Sequence, residues 1–325
     1  MFNVRLKAQH FAALSLFLAA RFASAVELPS QLDELDAYLA AAEQGISHLV
    51  PGAEKTIHWA SADKTRTPVS FVYLHGYSAS RQEAHPLTDV VAEAHSANVY
   101  YARLTGHGRD GQAMALATTA AWKRDVTEAY RIGAMLGEKV VVVSLSTGGT
   151  LATWLAAQSF ADQLNAVVLI SPNFAVHSPV LGALNLPVIG PALLSLFGDM
   201  ERGWTPRNEG HAEFWTERYP IRSVQPLAQI MTEVEHIDKA AITVPALMIY
   251  SAADSVIDPA EVQGVYSSWG GSQNRIVQVN HVDGESDHVV AGDILSPSRT
   301  ELVAEHILDF LTSLGVSGQA TATVD

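Results

Sequence analysis

The stretch VVVSLSTGGT, residues 141–150, changes character within a few positions. It begins with three valines, whose β-branched side chains favour a strand. Small, turn-prone residues follow around Ser146, and the helical pattern LATWLAAQSF comes directly after them. A strand that runs through small residues straight into a helix predicts a tight strand–turn–helix. Such a turn lifts the side chain of Ser146 out of the end of a sheet and strains its backbone.

Strand-like and helix-like segments alternate along most of the chain. The predicted strands are Lys55–Trp59, Val69–Leu74, Val99–Ala102, Val140–Ser144, Ala166–Ile170, Ala246–Tyr250 and Arg275–Val279. The predicted helices are Leu32–His48, Gln82–Ala94, Ala120–Leu136, Thr147–Phe160, Pro259–Ser268 and Thr300–Leu314. Repeated strand-then-helix order with nearly continuous apolar strands predicts an α/β fold, with a mostly parallel central sheet and helices on both faces.

One segment, from about residue 173 to 242, shows no strand pattern. Its first part, NFAVHSPVLGALNLPVIGPALLSLFG, carries no charged residue. Its prolines and glycines argue against a helix in lipid, because each would interrupt the backbone hydrogen bonding that lipid demands. We therefore expect a helical cap insertion over one edge of the sheet, with an apolar underside that faces a cleft.

The first 25 residues have the pattern of a secretory signal peptide. Arg5 and Lys7 form a positive region, an apolar run covers residues 11–20, and Ala23-Ser24-Ala25 is a cleavage signal. The apolar run is shorter than the ~20 residues needed to span a bilayer, so we expect no stable membrane anchor. The pattern predicts cleavage after Ala25, export to the periplasm or the medium, and one domain over residues 26–325. An amphipathic first helix is the alternative.

The composition excludes several classes of function. Of the 325 residues, 48 % are hydrophobic and 17 % charged, as in globular rather than disordered proteins. The net charge of −14 becomes −17 if the signal segment with its three basic residues is removed, and it disfavours binding to nucleic acid. Cysteine is absent, which excludes thiol nucleophiles and disulfides. No H-E-x-x-H signature occurs among the 13 histidines, and no metal or organic cofactor is implied.

Ser146 is the candidate nucleophile. The stretch Ser144-Leu145-Ser146-Thr147-Gly148 differs from the G-x-S-x-G nucleophile motif only in its first position, where Ser144 replaces glycine. An ordinary helix N-cap at Ser146 or Thr147 is the alternative interpretation. A serine hydroxyl attacks carbonyl groups only when a base takes its proton and a third group orients that base. The hypothesis therefore requires an acid and a histidine beyond the ends of later strands.

Two acids and two histidines stand at such positions. In ALMIYSAADSVIDP, Asp254 follows the strand through a small-residue turn, whereas Asp258 precedes Pro259 and a helix, as an N-cap does. After the strand RIVQVN come His281 and His288. We assign the acid to Asp254 and the cap to Asp258. We assign the base to His288, which has room to swing over Ser146, with His281 as its competitor.

Four landmarks in chain order resemble those of the serine α/β-hydrolases, and most closely the bacterial carboxylesterase and monoacylglycerol-lipase-like branch. They are VYLHGYSAS after the strand 69–74, ARLTGHG after the strand 99–102, the SLSTGG turn, and the late pair AAD…SDHVV. Serine precedes aspartate and aspartate precedes histidine, as in that superfamily. The resemblance covers about residues 55–315 and implies the α/β-hydrolase fold.

The resemblance also implies an oxyanion hole. In such enzymes, the residue after His-Gly and the residue after the nucleophile offer backbone N–H groups to the developing alkoxide. Here these residues are Tyr77 and Thr147, and Thr147 also opens a helix whose dipole favours negative charge there. We interpret His75 and His107, in the first two landmark loops, as structural.

The predicted function is hydrolysis of carboxylic esters with an apolar acyl or alcohol part, through Ser146, His288 and Asp254. The expected partner is a small ester or lipid-like substrate. Thioester cleavage, peptide cleavage and acyl transfer on the same three residues are alternatives, because a fold does not determine its substrate. A ligand-binding protein that keeps the fold without turnover is a further one. Reactions that use an aspartate nucleophile are set aside, since position 146 is serine.

Overall fold

A seven-stranded sheet forms the centre of the computed structural model, which describes residues 27–175, 183–186 and 188–316. The strands of the chain are β1 (Thr56–His58), β2 (Thr67–Leu74), β3 (Asn98–Tyr101), β4 (Gly137–Leu145), β5 (Leu164–Ile170), β6 (Glu201–Gly203), β7 (Arg218–Pro220), β8 (Ala246–Ser251) and β9 (Arg275–Val279). The order in the large sheet is β1-β3-β2-β4-β5-β8-β9, and every pair is parallel except β1 with β3. The predicted mostly parallel sheet is confirmed. The predicted signal segment lies outside the described residues.

Helices flank this sheet on both sides. They are α1 (Leu35–Glu43), α2 (Leu87–Ala94), α3 (Gly111–Met114), α4 (Thr119–Leu136), α5 (Thr147–Ala156), α6 (Ile189–Phe197), α7 (Glu209–Phe214), α8 (Gln225–Glu235), α9 (Pro259–Ser268) and α10 (Thr300–Ser313). Short 3₁₀ turns lie at Leu32–Glu34, Arg81–Ala84, Ile221–Val224, Lys239–Ala241 and Pro297–Arg299. Within the described ranges, no helix has both the length and the apolar character that crossing a bilayer requires.

Two hydrophobic cores lie on the two faces of the sheet, because most buried positions of the central strands are apolar. In β4, Val140 and Val142 pack into the core that contains α4, α5 and α8. Val141 and Val143 point to the opposite face and pack against α2 and α10. Successive side chains of a strand alternate between faces, so one continuous run of valines supplies both cores.

The turn between β4 and α5 brings three backbone segments into close contact. An ideal Cβ placed on Gly148 would lie 2.0 Å from the carbonyl oxygen of Leu74, at the end of β2. The N–H of Ser146 donates to the carbonyl of Ile170, at the end of β5, over 2.9 Å. Ser144, which departs from the motif's glycine, is fully buried and its hydroxyl donates to the Val168 carbonyl over 2.9 Å. The departure is therefore accommodated, because the added hydroxyl is hydrogen-bonded.

The structure corrects the expectation that residues 173–242 lack strands. The short strands β6 and β7 pair there in an antiparallel ladder, separate from the large sheet. Each of these strands has only three residues, which is too few to produce an alternating pattern in the sequence. Between β5 and β8 the described chain otherwise forms helices α6 to α8 and turns.

Three predicted helices are shorter than expected. The segment Gln82–Ala94 is interrupted, because Pro86 disfavours helical backbone at His85, which is extended, and α2 begins at Leu87. The first helix ends at Glu43, two residues before Gly45, whose φ is +78°. The helix after Ser146 ends at Ala156 rather than at Phe160.

We predict that Gly148→Ala lowers the free energy of unfolding by about 1–3 kcal/mol or more, because the new methyl group must displace the backbone of β2. Gly264→Ala is the matched control, since Gly264 is also helical but an ideal Cβ placed on it would have no atom within 4 Å. That variant should gain about 0.5–1 kcal/mol through helix propensity. Urea unfolding of both variants measures the difference, and equal stabilities would contradict this account of the turn.

Candidate active site

Ser146 occupies a strained turn at the carboxyl end of β4. Its φ is +54° and its ψ −115°, a backbone conformation that non-glycine residues rarely adopt. The side chain makes no capping hydrogen bond to helix α5, so it does not act as the N-cap of the alternative interpretation. The turn instead leaves the hydroxyl free to face the loops that follow β8 and β9.

A chain of hydrogen bonds joins Ser146, His288 and Asp254. Nε2 of His288 lies 3.0 Å from Oγ of Ser146, and its Nδ1 lies 2.8 Å from Oδ2 of Asp254. Oδ1 of Asp254 accepts from the backbone N–H groups of Val256 and Ile257 over 2.8 and 3.2 Å. The Asp254 side chain is fully buried, so its orientation is held by these contacts. The structure thus brings together the three residues that the sequence proposed, although they are 142 and 34 positions apart.

The two competing residues make other contacts. Oδ1 of Asp258 accepts from the N–H of Ala260 over 2.9 Å and caps α9, as its position before Pro259 predicted. His281 is half-exposed, with Nδ1 2.7 Å from Asp287 and Nε2 3.1 Å from Asp283. Both ring nitrogens of His281 therefore face carboxylates of its own loop.

The loop after β2 approaches Ser146 from the other side. His75 is fully buried, and its Nε2 accepts from the N–H of Leu104 over 3.0 Å, so the neutral ring carries its proton on Nδ1, which donates to the Gly76 carbonyl. Burial lowers the pKa of His75 to about 4. This histidine joins the loops after β2 and β3, which is the structural role expected of it. His107, also buried, packs against its ring at 5.0 Å.

Tyr77 and Thr147 are the residues of the oxyanion hole that the resemblance implies. Tyr77 lines the same cleft as Ser146, and Thr147 follows Ser146 directly as the first residue of α5. Neither backbone N–H group has a hydrogen-bond acceptor among the residues that the structure describes. The Tyr77 side chain is held separately, since its hydroxyl lies 2.8 Å from that of Ser223. Within the described residues, both N–H groups therefore remain available as hydrogen-bond donors.

Glu83 lies beneath this loop and was not anticipated from the sequence. Its carboxyl accepts hydrogen bonds from the N–H of Gly76 and from the hydroxyl of Tyr73, the latter over 3.0 Å. The side chain is buried, and burial raises its pKa to about 8 against the opposing effect of these two hydrogen bonds. At neutral pH the carboxyl is therefore mainly protonated. No local pattern marks Glu83, because its role depends on a loop seven residues away.

A cleft of about 450 Å³ opens in front of Ser146. Its floor comes from the sheet edge and its roof from residues 202–227. Its described lining residues are Tyr77, Ser78, Ser146, Asn173, Arg202, Trp204, Arg207, His211, Trp215, Tyr219, Val224, Leu227, Ser255, Val256, Ser286, His288, Val289 and Leu295. The lining is thus mixed, with aromatic, aliphatic and cationic groups.

The cap insertion, about residues 173–242, was expected to present an apolar underside to the cleft, and this needs correction for its uncharged first part, residues 173–198. Of its described residues only Asn173 lines the cleft, whereas Ile189, Leu196 and Phe197 of α6 are substantially exposed to solvent. The apolar part of the roof comes instead from Val224 and Leu227. The arginines and tryptophans of the roof were missed because they lie in a segment without periodicity, so no sequence signal pointed to them.

The sheet order, the strained serine and the His288 contact define the class of the protein as a serine α/β-hydrolase. A family model for serine aminopeptidases, family S33, matches residues 67–282, and the chain belongs to that family. Its similarity to known lipases and esterases identifies it as a carboxylester hydrolase of the lipase/esterase type.

Individual lipases of known sequence or structure are also similar to this chain. The chain is 26 % identical over 249 residues to a thermostable monoacylglycerol lipase of Bacillus sp. (strain H-257), covering 75 % of this chain and 90 % of that one. A solved structure of the metagenome-derived lipolytic enzymes LipS and LipT matches with a TM-score of 0.66 and 26 % identity, over 82 % of this chain and 99 % of the other. A monoacylglycerol lipase of Paleococcus ferrophilus shares the fold, with a TM-score of 0.58 and 17 % identity over 80 % and 99 % of the two chains.

We predict that Glu83 makes stability decline with rising pH. Its folded-state pKa of about 8 lies above the ~4.3 of an exposed glutamate, so between these values the folded protein holds a proton that the unfolded chain has lost. The free energy of unfolding should therefore fall as pH rises from about 4.3 to about 8. Glu83→Gln cannot ionise and should lack this part of the decline.

Urea unfolding between pH 5 and pH 9 measures the effect. Glu93→Gln, at an exposed position of α2, is the control and should follow the wild-type curve. Parallel curves for wild type and Glu83→Gln would show that the buried carboxyl does not titrate as described.

Proposed function

We propose that this protein hydrolyses carboxylic esters through a covalent acyl-enzyme on Ser146. The observation that carries the proposal is the position of His288, within hydrogen-bond reach of both the Ser146 hydroxyl and the Asp254 carboxylate. A general base must reach the proton that it removes, and a third group must hold its ring in the right orientation.

In the first half of the reaction, Nε2 of His288 takes the hydroxyl proton as Oγ of Ser146 attacks the ester carbonyl. The carbonyl double-bond electrons move onto oxygen, and the tetrahedral intermediate forms. When it collapses, His288 passes the proton to the leaving alcohol and the acyl group stays on Ser146. The Asp254 carboxylate accepts hydrogen bonds from two backbone N–H groups, which hold it in place to orient His288 and to stabilise the imidazolium ring.

The negative charge of the intermediate develops on the former carbonyl oxygen. Tyr77 and Thr147 offer backbone N–H groups that have no other acceptor in the described part of the chain. A preorganised pair of donors needs no rearrangement when the charge appears, and removal of one such donor typically costs ~10²–10³ in kcat. In the second half, water attacks the acyl carbonyl while Nε2 of His288 takes one of its protons. The bond between the acyl carbon and Oγ of Ser146 then breaks, His288 returns the proton to Oγ, and the carboxylic acid leaves.

The cleft favours an ester over an N-terminal peptide as substrate. An aminopeptidase must accommodate the positively charged α-amino group of its substrate, but the charged residues among the described lining are Arg202 and Arg207. These guanidinium groups repel an ammonium group near the scissile bond. Val224 and Leu227 offer apolar surface, so an apolar acyl or alcohol part, as in a monoacylglycerol, suits the site.

We predict that a fluorophosphonate probe labels Ser146. The purified protein should bind one probe molecule, and Ser146→Ala should bind none while unfolding at nearly the wild-type temperature. Hydrolysis of p-nitrophenyl esters, from acetate to palmitate, should fall by about 10⁴-fold or more in the same variant. Labelling that persists in Ser146→Ala would refute the assignment of the nucleophile.

We predict that Asp254→Asn reduces kcat by ~10⁴-fold, since asparagine stabilises the wrong tautomer of His288. Asp258→Asn makes the same chemical change four residues away and should leave kcat within about threefold of wild type, because asparagine caps helices as well as aspartate does. Steady-state kinetics on one p-nitrophenyl ester compare the two. A large loss only in Asp258→Asn would reverse the assignment of the acid.

A further inference from the structure

Two arginines in the roof of the cleft have no carboxylate partner among the described residues. Arg202 lies on β6, and Arg207 lies in the turn before α7. Two nearby acidic residues are engaged with other arginines. Glu201 pairs with Arg218 at 3.3 Å, and Glu285 pairs with Arg299 at 3.1 Å.

The positive charge of these two arginines is opposite in sign to the net charge of the whole chain. The protein has 34 acidic and 20 basic residues, yet the described lining of the cleft contains these two arginines and neither aspartate nor glutamate. The nearest catalytic carboxylate, that of Asp254, is buried behind His288 and bonded to it. The cleft is therefore a positive site in a strongly negative protein.

A hydrogen bond holds the Arg207 guanidinium at the cleft, and Arg202 reaches the cleft from strand β6. The Arg202 backbone pairs with Tyr219 across the β6–β7 ladder. Burial raises the pKa of the Tyr219 hydroxyl and the nearby Arg202 charge opposes that rise, which places the charge beside a lining residue. Nη1 of Arg207 donates to the backbone carbonyl of Glu285 over 3.0 Å, three residues before His288.

An aromatic wall adjoins the arginines. The His211 ring stacks on Trp204, with centroids 4.3 Å apart and planes 28° apart, and meets the edge of Trp215 at 4.8 Å. Nδ1 of His211 accepts from the N–H of Arg207 over 3.2 Å. Burial, and then the Arg207 charge, lower the pKa of His211 to about 4, so its ring is neutral at neutral pH. The positive charge of the roof thus comes from guanidinium groups, which stay charged at every physiological pH.

We propose that the cleft selects carboxylic esters that carry an anionic group, with Arg202 and Arg207 as its binding residues. A guanidinium group recognises carboxylate and phosphate with the same paired N–H donors, so both anions fit the site. The aromatic wall and the aliphatic residues bind the uncharged remainder of the substrate. This proposal rests on the proposed function, because it concerns the substrate of Ser146.

The test compares esters that differ in charge but share their acyl group. For carboxylate, 4-butyryloxybenzoate is compared with methyl 4-butyryloxybenzoate; for phosphate, 1-decanoylglycerol 3-phosphate is compared with 1-decanoylglycerol. The readout is the kcat/KM of the anionic ester divided by that of its neutral partner. Intrinsic reactivity cancels when this ratio is compared between wild type and variants.

We expect Arg202→Gln and Arg207→Gln each to lower the ratio by about three- to tenfold in at least one ester pair, the range for a partly exposed charge-assisted contact. Arg202→Lys should retain most of the preference, since it keeps the charge. Arg218→Gln is the matched control, because it removes the same charge from the neighbouring strand without lining the cleft. The wild-type ratio should also fall as NaCl rises from about 0.02 to about 0.5 M.

Ratios that are unchanged in both glutamine variants for both ester pairs would overturn the proposal. Calorimetry of the anionic esters with Ser146→Ala provides a readout that needs no turnover. If binding depends on the arginines but the wild type hydrolyses no ester, the proposed function fails while the anion site stands. If hydrolysis occurs and neither binding nor the ratio depends on the arginines, the anion site alone fails.

Discussion

The close approach of helix α5 to the end of strand β2 is the constraint on which the site depends. A side chain at position 148 would collide with the Leu74 carbonyl. Glycine at this position therefore allows the helix to begin immediately beside the sheet. This proximity forces Ser146, two residues earlier, into a backbone conformation with positive φ. The strain is sustained because the buried strands on either side hold the turn, and the result is a hydroxyl that projects from the sheet edge.

The parallel order of the sheet then brings the partners to that hydroxyl. Strands β8 and β9 run in the same direction as β4, so the loops after them open at the same edge. Asp254 is held by backbone N–H groups of its own turn, and His288 lies between it and Ser146. On the other side, buried His75 and Glu83 hold the loop that carries Tyr77. His75 and Glu83 thus position the backbone of this loop and do not contact the substrate themselves.

The roof of the cleft gives the site a character that the sheet does not determine. The small β6–β7 ladder and helix α7 carry the cationic and aromatic residues that face Ser146. The net charge of the chain is −14, yet the two roof arginines have no carboxylate partner in the part of the chain that the structure describes. Their charge is therefore available to a ligand.

The sequence by itself determined the α/β class, the order of Ser146, Asp254 and His288 along the chain, and the distinction between Asp254 and the helix cap Asp258. These features follow from local patterns, since strand, turn and cap preferences act over a few residues. Only the tertiary structure decided what faces the cleft. The β6–β7 pair, the arginines of the roof and the buried Glu83 acquire their roles from contacts with distant segments, and such contacts leave no periodic signal in the chain. For the same reason the sequence did not reveal that helix α6 leaves Ile189, Leu196 and Phe197 exposed and contributes no residue to the cleft lining.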